Sequence, residues 1–597
     1  MKKFFIYFIF ICTSSFTQTN YIKEKCTYYC GRNSGIGDII KDNSGNLIVV
    51  GGLGGNNLFT LYENAAYYSQ FTTPNCHKPT ITGQTLDGFI AKFDPELNLI
   101  WATYFGGSEF DTIYKMAVDT ADNIYFSGIT KNTNQFATPN TYIDTFNILT
   151  VISINGSQIK SNGYLTKFNS SGQLLWTTYL PSISNFLKIS NQNEILIGGT
   201  KQNDAVDGVN VASSGAFNES FYSYNNANDT DGYILKLDLQ GNYLGGTYCG
   251  PMTPTNIGFD NSDNVILIGN CSDHTNYNFT SANAYQSTNI TPIIVGIISK
   301  FSSDLSTRIW STYYGGDKDD RLRVLKVYDD NIYIASYSKS TNMASANAYQ
   351  QTPAYFLLSK FNSSGNRLYG TYFGTTSNVP EYDILSKIVI QNDKIYVVGS
   401  SSYNDGIATA NTYQPTSFAN GTNIRDGFFM EFGLDGSKNW GSYFGGTGDD
   451  RVNGAVVNNN NEIYLSGTTS STTGIATLGS LQPNLNIGTG MTASNMFLAK
   501  FVPNPLSTSS FTKTNIKLTP NPNNGSFSLQ GNANNQENLN LIIFDNLGRT
   551  IANAKVNVLE NNINQNFNLA NVLTSGVYYA KLINDNQVVG TFKLLVK

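Results

Sequence analysis

The chain has few histidines and few charged side chains. Of its 597 residues, two are histidines, 13% are charged, and the formal net charge is -5. His77 and His274 leave little material for a Ser-His-Asp triad or a histidine-rich metal site. The weak negative charge provides no electrostatic footprint for nucleic acid or for an anionic membrane surface. We therefore expect no nucleic-acid partner.

Long apolar runs are also missing. The stretch from Phe4 to Cys12 is too short to span a bilayer and no later stretch is more apolar, so we predict no transmembrane segment. This stretch follows Met1-Lys-Lys3 and precedes Ser15-Phe-Thr17, an order typical of a cleaved signal peptide covering residues 1–17. Because Ile11 precedes Cys12, where a lipoprotein signal needs a small residue, we expect soluble export.

Glycines and aromatic residues are abundant. The chain has 54 glycines, and 13% of its residues are aromatic. Together with many Asn, Ser and Thr residues, this composition is typical of short strands joined by polar turns. We predict an all-β protein.

One unit recurs along most of the chain, with its clearest copy between Asp426 and Gly446. Each copy has an apolar strand with a lysine or its equivalent, a turn, and a strand with an aromatic residue followed by Thr/Ser-Tyr. All four tryptophans fall at one position of the unit: Trp101, Trp176, Trp310 and Trp440. Polar-turn hairpins such as the one between Tyr114 and Gly128 alternate with these copies. A repeated four-stranded unit, with strands a to d, is the sequence sign of a propeller blade.

The two ends of the array give the number of blades. There are seven a-b hairpins and seven c strands, but no d strand follows Lys500. The stretch from Cys26 to Gly31 precedes the first hairpin and matches the d-strand sequence from Ser311 to Gly316. Because closing the ring removes two exposed sheet edges, residues 18–501 are predicted to form a seven-bladed β-propeller closed by its N-terminal strand.

The repeat ends near residue 501. Residues 502–513 are rich in Pro, Ser and Thr and are predicted to form a linker. Residues 514–597 alternate apolar residues between Asn/Gly turns, which predicts a small C-terminal β-sandwich.

Both parts resemble known families. The repeats, with their Trp-x-Thr-Tyr-x-Gly-Gly pattern, resemble secreted bacterial proteins with SBBP-type (seven-bladed β-propeller) repeats. Blade three departs most, since Gly245 stands at the Trp position. The tail resembles the type A C-terminal sorting domain of type IX secretion. It has Pro520-Asn-Pro522, the turn from Phe544 to Arg549, Leu573 to Tyr578, and the closing Phe592 to Lys597. This resemblance implies handling by the type IX secretion machinery and a secreted or outer-membrane surface location.

Recurrent aspartates are the candidate metal ligands. They follow the d strands, at Asp38, Asp111, Asp320, Asp383 and Asp450. In a propeller they could circle one mouth of the channel and hold calcium, the one cofactor considered. Alternatively, each caps its own d-to-a turn, which we prefer because two units lack the residue. Asp42 to Asn46 and Asp260 to Asn264 resemble calcium-loop fragments, but they lack the glutamate of that loop and are interpreted as hairpin turns.

Five cysteines remain after signal cleavage, at Cys26, Cys30, Cys76, Cys249 and Cys271. Their spacings match no zinc pattern, whereas export permits disulfides. Strands d and b of a blade end on the same face, which predicts the pairs Cys30–Cys76 and Cys249–Cys271.

Three b-c loops share the motif Ala-Asn-Ala/Thr-Tyr-Gln, with tyrosines Tyr285, Tyr349 and Tyr413. They could be ligand-stacking platforms. We prefer the interpretation that each pins its loop onto its own blade, because the motif repeats with the scaffold.

The sequence favours a non-enzymatic binding module for a glycan or a protein, with no catalytic residue assigned. The alternatives are a polysaccharide hydrolase or lyase with a site in the propeller mouth, or a passive surface scaffold. An active site would need a residue cluster that breaks the seven-fold pattern, and none is evident in the sequence.

Overall fold

A computed structural model describes residues 20–31, 34–53, 65–81, 86–133, 136–145, 150–154, 157–202, 209–222, 230–272, 277–289, 294–376, 383–419, 424–485, 494–504, 516–532, 539–545, 549–559, 561–584 and 587–597. The predicted signal peptide, His274 and most of the predicted linker lie outside these residues. The described chain divides into two compact units, one spanning Ile22–Val502 and one containing Pro503–Lys597.

The first strand of the chain is β1 (Tyr21–Tyr29), and the blades follow it. Blade one contains β2 (Ser34–Lys41), β3 (Leu47–Leu53), α1 (Ala65–Ser69), β4 (Gly88–Phe93) and β5 (Leu99–Phe105). Blade two contains β6 (Asp111–Val118), β7 (Ile124–Thr130), β8 (Thr150–Ile154), β9 (Ser157–Phe168) and β10 (Leu174–Leu180). Blade three contains β11 (Ser184–Ile189), β12 (Ile195–Gln202), β13 (Thr230–Leu237) and β14 (Tyr243–Gly250).

The remaining blades repeat this pattern. Blade four contains β15 (Thr253–Phe259), β16 (Val265–Cys271), β17 (Val295–Phe301) and β18 (Arg308–Tyr314). Blade five contains β19 (Asp320–Tyr328), β20 (Asn331–Ser338), β21 (Phe356–Phe361) and β22 (Arg367–Phe373). Blade six contains β23 (Ile384–Gln391), β24 (Lys394–Ser401), β25 (Asp426–Gly433) and β26 (Lys438–Phe444). Blade seven contains β27 (Asp450–Val457), β28 (Ile463–Thr469) and β29 (Asn495–Pro503).

The N-terminal strand closes the ring. The sheet of blade seven has the order β1-β29-β28-β27, so β1 takes the place of strand d beside β29. Outside the ladder, the Tyr28 amide donates to the Gln482 carbonyl (3.1 Å) and the Tyr28 hydroxyl donates to the Ser471 carbonyl (2.6 Å). The seven-bladed all-β fold predicted from the repeats is therefore confirmed, including its closure.

The hydrophobic cores lie between neighbouring blades. One core joins Phe89 and Phe93 of blade one to Tyr464 and Leu498 of blade seven, and it includes Tyr29 of the closing strand. Similar clusters join blades one and two, two and three, three and four, four and five, and five and six. Each blade thus buries both faces of its sheet against its neighbours, which makes closure of the ring a condition for burying the last face.

The repeated tryptophans join each blade to the next. The indole Nε1 of Trp101 donates to the Ser170 carbonyl (3.1 Å), and that of Trp310 donates to the Ser363 carbonyl (3.0 Å). Both carbonyls belong to the c-d turn of the following blade. Trp440 is fully buried and packs on Phe429 with ring centroids 4.7 Å apart. These tryptophans therefore have packing roles.

The c-strand lysines form ion pairs within their own blades. Lys92 lies 2.8 Å from Asp42, and Lys300 lies 2.7 Å from Asp260, both acids belonging to the a-b turn. Blade six carries the same pair with its charges exchanged, because Glu431 stands on strand c and contacts Lys394 of strand b at 3.0 Å. The repeat therefore conserves an ion pair between strand c and its hairpin, rather than a lysine.

The second unit is the predicted β-sandwich. Its strands are β30 (Lys517–Thr519), β31 (Ser526–Asn532), β32 (Leu539–Phe544), β33 (Thr550–Val556), β34 (Val558–Leu559), β35 (Asn562–Asn568), β36 (Gly576–Asn584) and β37 (Gln587–Val596). They form two sheets, β30-β31-β35-β34 and β33-β32-β36-β37. Leu529 and Phe567 of the first sheet share one core with Leu541 and Leu582 of the second. The turn from Phe544 to Arg549 is described only at its ends.

Candidate functional site

A cavity of about 970 Å³ lies within the ring of innermost strands, and all seven a strands line it. Each a strand has a register irregularity at the same place, directly before Asp38, Lys115 or the equivalent residue of its blade. An irregularity of this kind re-aims the side chains that follow it. The backbone of the channel therefore repeats from blade to blade.

The side chains at this position do not repeat. In blade order the residues are Asp38, Lys115, Phe186, Asn256, Val324, Lys387 and Gly454. Phe186 and Val324 are buried in the cores between blades, whereas Asp38, Lys115, Asn256 and Lys387 line the cavity. Two residues further along their strands stand Lys188 of blade three and Lys326 of blade five. The innermost strands thus hold a cluster of side chains that breaks the seven-fold pattern.

The cluster is predominantly cationic. Six cations line the cavity: Lys41, Lys115, Lys188, Arg323, Lys326 and Lys387. Lys387 of blade six pairs with Asp38 of blade one at 2.8 Å and also donates to the Ile39 carbonyl (2.5 Å), although blade seven lies between the two blades. Asp38 is the one carboxylate among the described residues that line the cavity. The other five cations form no ion pair with a carboxylate in the described part of the chain.

The lysines of the channel affect each other's protonation. Enclosure by protein lowers the pKa of Lys188 to about 8, and repulsion from Lys387 and Lys326 contributes. Enclosure also lowers the pKa of Lys115; Asp38 opposes this shift, whereas Arg323 and Lys387 add to it. The pKa of Lys326 is lowered by enclosure and by Lys387. The channel therefore carries more positive charge than the carboxylate in its lining can neutralise.

The predicted acidic residues lie apart from this cluster, with one exception. Asp111 accepts hydrogen bonds from the Gly107 amide (2.8 Å) and from Asn132 (2.7 Å), so it caps its own d-to-a turn. Asp320 and Asp450 cap their turns in the same way, through the amides of Gly316 and Gly446, and Asp383 binds Ser401 and Ser402. No three His, Cys, Asp or Glu residues are grouped to hold a metal ion in the described part of the chain.

Asp38 is not equivalent to the other four. Asp111 begins strand a and pairs with Thr130, whereas the residue at the start of β2 is Ser34. Asp38 follows the irregularity of β2 and lies in the channel beside Lys387. The predicted ring of five acids at one mouth is therefore wrong for Asp38, because aligning the sequences by the preceding glycines ignored the inserted residue.

The turns that resemble calcium loops are closed by protein donors. The carboxylate of Asp42 accepts from the amide (2.8 Å) and the side chain (3.0 Å) of Asn46, and from Lys92. Asp260 makes the same contacts with Asn264 and Lys300. Both fragments are hairpin turns, as interpreted from the sequence.

The capping aspartates predict a measurable pH dependence of stability. Burial raises the pKa of Asp450 to about 7, and Asp426 adds repulsion although Gly446 and Ser471 donate hydrogen bonds to it. The pKa of Asp450 is higher in the folded chain than in the unfolded chain. The contribution of protonated Asp450 to stability is therefore complete below about pH 4 and is lost as the pH rises through 7. We expect unfolding midpoints in urea to fall between pH 5 and pH 8. Asp450→Asn, which keeps an acceptor for the Gly446 amide, should remove roughly 2 kcal/mol of that change; an unchanged slope would contradict the assignment.

The predicted disulfides are not confirmed, since no disulfide bond joins the five described cysteines in this structure. Cys30 is buried in the core between blades one and seven, whereas Cys76 is partly exposed. Cys249 and Cys271 share a hydrophobic cluster, but the Cys271 thiol donates to the Pro251 carbonyl at 3.2 Å. Topology placed the second pair in one region but could not fix the direction of the thiols.

The loop tyrosines join neighbouring blades as well as their own. Tyr285 from blade four contacts Phe361 of blade five (centroids 5.7 Å apart), and Tyr413 from blade six contacts Phe501 of blade seven (5.0 Å). Tyr349 makes the corresponding contact with Phe432. These contacts are part of the scaffold. His77 likewise packs against Phe105 and Phe168, and burial lowers its pKa.

The lysines of the channel were missed in the sequence. Their signal is a charged residue within an otherwise apolar innermost strand, as in Phe186-Leu-Lys-Ile189 and Val324-Leu-Lys-Val327. Innermost strands of a propeller border the channel, so a charge there marks a channel-facing position.

Comparison with known protein families gives a match for the second unit. Residues 517–597 match the family described as the secretion system C-terminal sorting domain. No curated protein sequence matches the chain. The likeness of residues 18–501 to SBBP-type repeats stays a resemblance.

Several solved structures share the general fold at low identity. The WD40 domain of Pan2 from Neurospora crassa is 10% identical with a TM-score of 0.40, over 82% of this chain and 98% of that one. PorZ, a surface component of the type IX secretion system of Porphyromonas gingivalis, is 12% identical with a TM-score of 0.36, over 93% of this chain and 59% of that one. The endosialidase of phage phi92 is 10% identical with a TM-score of 0.35, over 91% and 75%. The likeness extends to the fold alone.

The location of the protein follows from its tail. In the described residues, no helix has the length and apolar character needed to cross a membrane. The chain is a seven-bladed β-propeller that carries a C-terminal sorting domain of the type IX secretion system, which makes it a secreted or outer-membrane surface protein handled by that machinery.

Proposed function

We propose that the protein is an extracellular, non-enzymatic binding module with one ligand site, located in the central channel. The observation that carries this proposal is the loss of seven-fold repetition at the same position of the a strands, where the cavity-lining residues Asp38, Lys115, Asn256 and Lys387 differ in chemistry. Elsewhere the strands repeat their packing, and four of them repeat a capping aspartate. Residues that depart from a repeat at one place are the ones available for a specific ligand.

The size of the cavity favours a small ligand or the end of a chain. A volume of about 970 Å³ lies at the upper end of the range of about 300–1,000 Å³ found for small-molecule sites. A folded protein domain would not enter it. Of the two ligand classes predicted from the sequence, the cavity therefore favours a glycan.

The carboxylates support binding over hydrolysis. Glycoside hydrolysis generally uses two carboxyl groups on either side of the bond that is cleaved. Among the described lining residues the cavity offers Asp38 alone, and Lys387 holds that carboxylate in an ion pair. A lyase that uses Lys188 as base is the enzymatic alternative, because the pKa of this lysine is lowered to about 8.

A blocking substitution tests the site. We expect Asn256→Trp, which fills the channel without changing its charge, to abolish binding of glycans that the wild-type chain captures on an array. The control is Asn366→Trp, placed on the exposed c-d turn of blade five, which should bind as the wild type does. Binding that survives Asn256→Trp would overturn the channel as the site. Cleaved products in a parallel polysaccharide screen would replace the binding module with the enzyme.

A further inference from the structure

The charge of the channel has the opposite sign to the charge of the protein. The whole chain has a formal net charge of -5. The cavity nevertheless gathers six cationic side chains and one carboxylate, and the carboxylate is already paired with Lys387. The remaining cations are Lys41, Lys115, Lys188, Arg323 and Lys326, which come from four different blades. The channel therefore carries a local excess of positive charge inside an acidic protein.

From this arrangement we infer that the channel binds an acidic saccharide, one that carries at least two negatively charged groups. The inference rests on the proposed function and specifies its ligand. It depends on three features of the channel: the arrangement of the cations, the wall between them, and the way the cations repel one another.

The cations stand at two levels of the channel. Lys115 and Lys387 occupy the position directly after the strand irregularity, whereas Lys188 and Lys326 stand two residues further along their strands. Two strand residues correspond to about 7 Å. A single inorganic anion would contact one level, while a ligand with separated anionic groups can contact both.

The wall of the channel also has aromatic and neutral polar groups. Tyr114 lines the cavity beside the lysines, and Asn256 lines it on the side of blade four. Aromatic faces give the apolar surface of a sugar ring a place to pack, and an amide can exchange hydrogen bonds with hydroxyl groups. A saccharide uses these groups together with the cations, whereas a small inorganic ion does not.

The cations repel one another while the channel has no anionic ligand. Lys188 and Lys326 are surrounded by the blades of the ring, yet their side chains are exposed within the channel. Low-dielectric walls lined with one sign of charge focus the field and raise the local concentration of counter-ions. An anionic ligand therefore gains both the attraction of the cations and the relief of their mutual repulsion.

The test compares charged and neutral oligosaccharides in calorimetric titrations of the full-length chain. The probes are an oligogalacturonate, a sulfated chondroitin oligosaccharide and a neutral cello-oligosaccharide of similar length. We expect the wild type to bind at least one of the two acidic probes and not the neutral one, with an affinity that falls as salt is added. Both acidic probes carry carboxylates and only the chondroitin probe carries sulfates, so binding of the chondroitin probe alone would indicate that the site requires sulfate groups.

Variants assign the binding to the channel. Lys188→Gln together with Lys326→Gln should weaken the acidic ligand at least tenfold, while the melting temperature without ligand stays equal or rises because repulsion is removed. Arg321→Gln is the matched control: Arg321 lies on β19 with Arg323 and Lys326, but it does not line the cavity. It should bind as the wild type does.

The possible failures are distinguishable. If the neutral probe binds as well as the acidic ones, and the lysine variant binds normally while Asn256→Trp does not, the channel remains the site and the acidic ligand is wrong. If an acidic probe binds equally to the wild type, the lysine variant and Asn256→Trp, both proposals are overturned. If no probe and no array glycan binds to a folded wild-type chain, both are likewise overturned.

Discussion

Deletion of residues 20–30 is expected to abolish the cooperative unfolding of the propeller. The deletion removes β1, so β29 loses its outer neighbour and becomes an exposed sheet edge. It also removes Tyr29 from the core between blades one and seven, and Tyr28, whose buried hydroxyl binds the Ser471 carbonyl. Burial of two such aromatic side chains alone contributes about 5 kcal/mol. We expect aggregated protein in size-exclusion chromatography and no sharp urea transition followed by tryptophan fluorescence.

A transplanted strand is the matched control for this deletion. In the deleted chain, residues 20–30 are inserted after Pro503 through a copy of the blade-two turn Asn169-Ser-Ser-Gly-Gln173. Because every other blade joins strands c and d in this way, the strand should return to its place beside β29. We expect a monomer with a urea transition close to that of the wild type. A deletion variant that unfolds like the wild type would show that the ring does not depend on this strand. A transplant no better than the deletion would show that the loss is not caused by the missing outer strand alone.

The ring and its closure could be predicted because they depend on repetition. Strand identity follows from the apolar and polar alternation, and the repeated tryptophan fixes the phase of each unit. The missing d strand after Lys500 and the surplus strand around Tyr28 can be recognised by comparing the copies. The sequence motifs that define the fold occur in several copies, so the fold remains recognisable although the blade with Gly245 diverges.

The channel could not be predicted because it depends on register. A shift of one residue sends every later side chain of a strand to the other face. The irregularity between Ile36 and Asp38 moves Asp38 into the channel, whereas Asp111 stands before the irregularity of its own strand and caps a turn. In the sequence the two aspartates are similar, since both follow a glycine-containing turn. Which aspartate faces the channel is therefore known only once the register is known.

Reversing one charge in blade six is the second change with a large expected effect. Glu431 is 2% exposed and lies 3.0 Å from Lys394, the inverse of the lysine-acid pairs of blades one and four. Glu431→Lys restores the residue type of the other blades at this position, yet it places two cations side by side in a buried setting. Because an uncompensated buried charge is far more costly than a lost surface pair, we expect a loss of about 3–5 kcal/mol in the free energy of unfolding.

A second, compensating substitution shows whether stability depends on the ion pair or on the lysine at one position. Adding Lys394→Glu to Glu431→Lys recreates the order of blades one and four, and we expect the double variant to recover at least half of the lost stability in urea denaturation. Lys394→Glu alone should also destabilise, because it brings two carboxylates together, although less than Glu431→Lys since Lys394 is the more exposed partner. If the double variant is no more stable than the two single variants predict by addition, the pair carries no coupling. In that case the lysine pattern of the repeat has another cause than the ion pair.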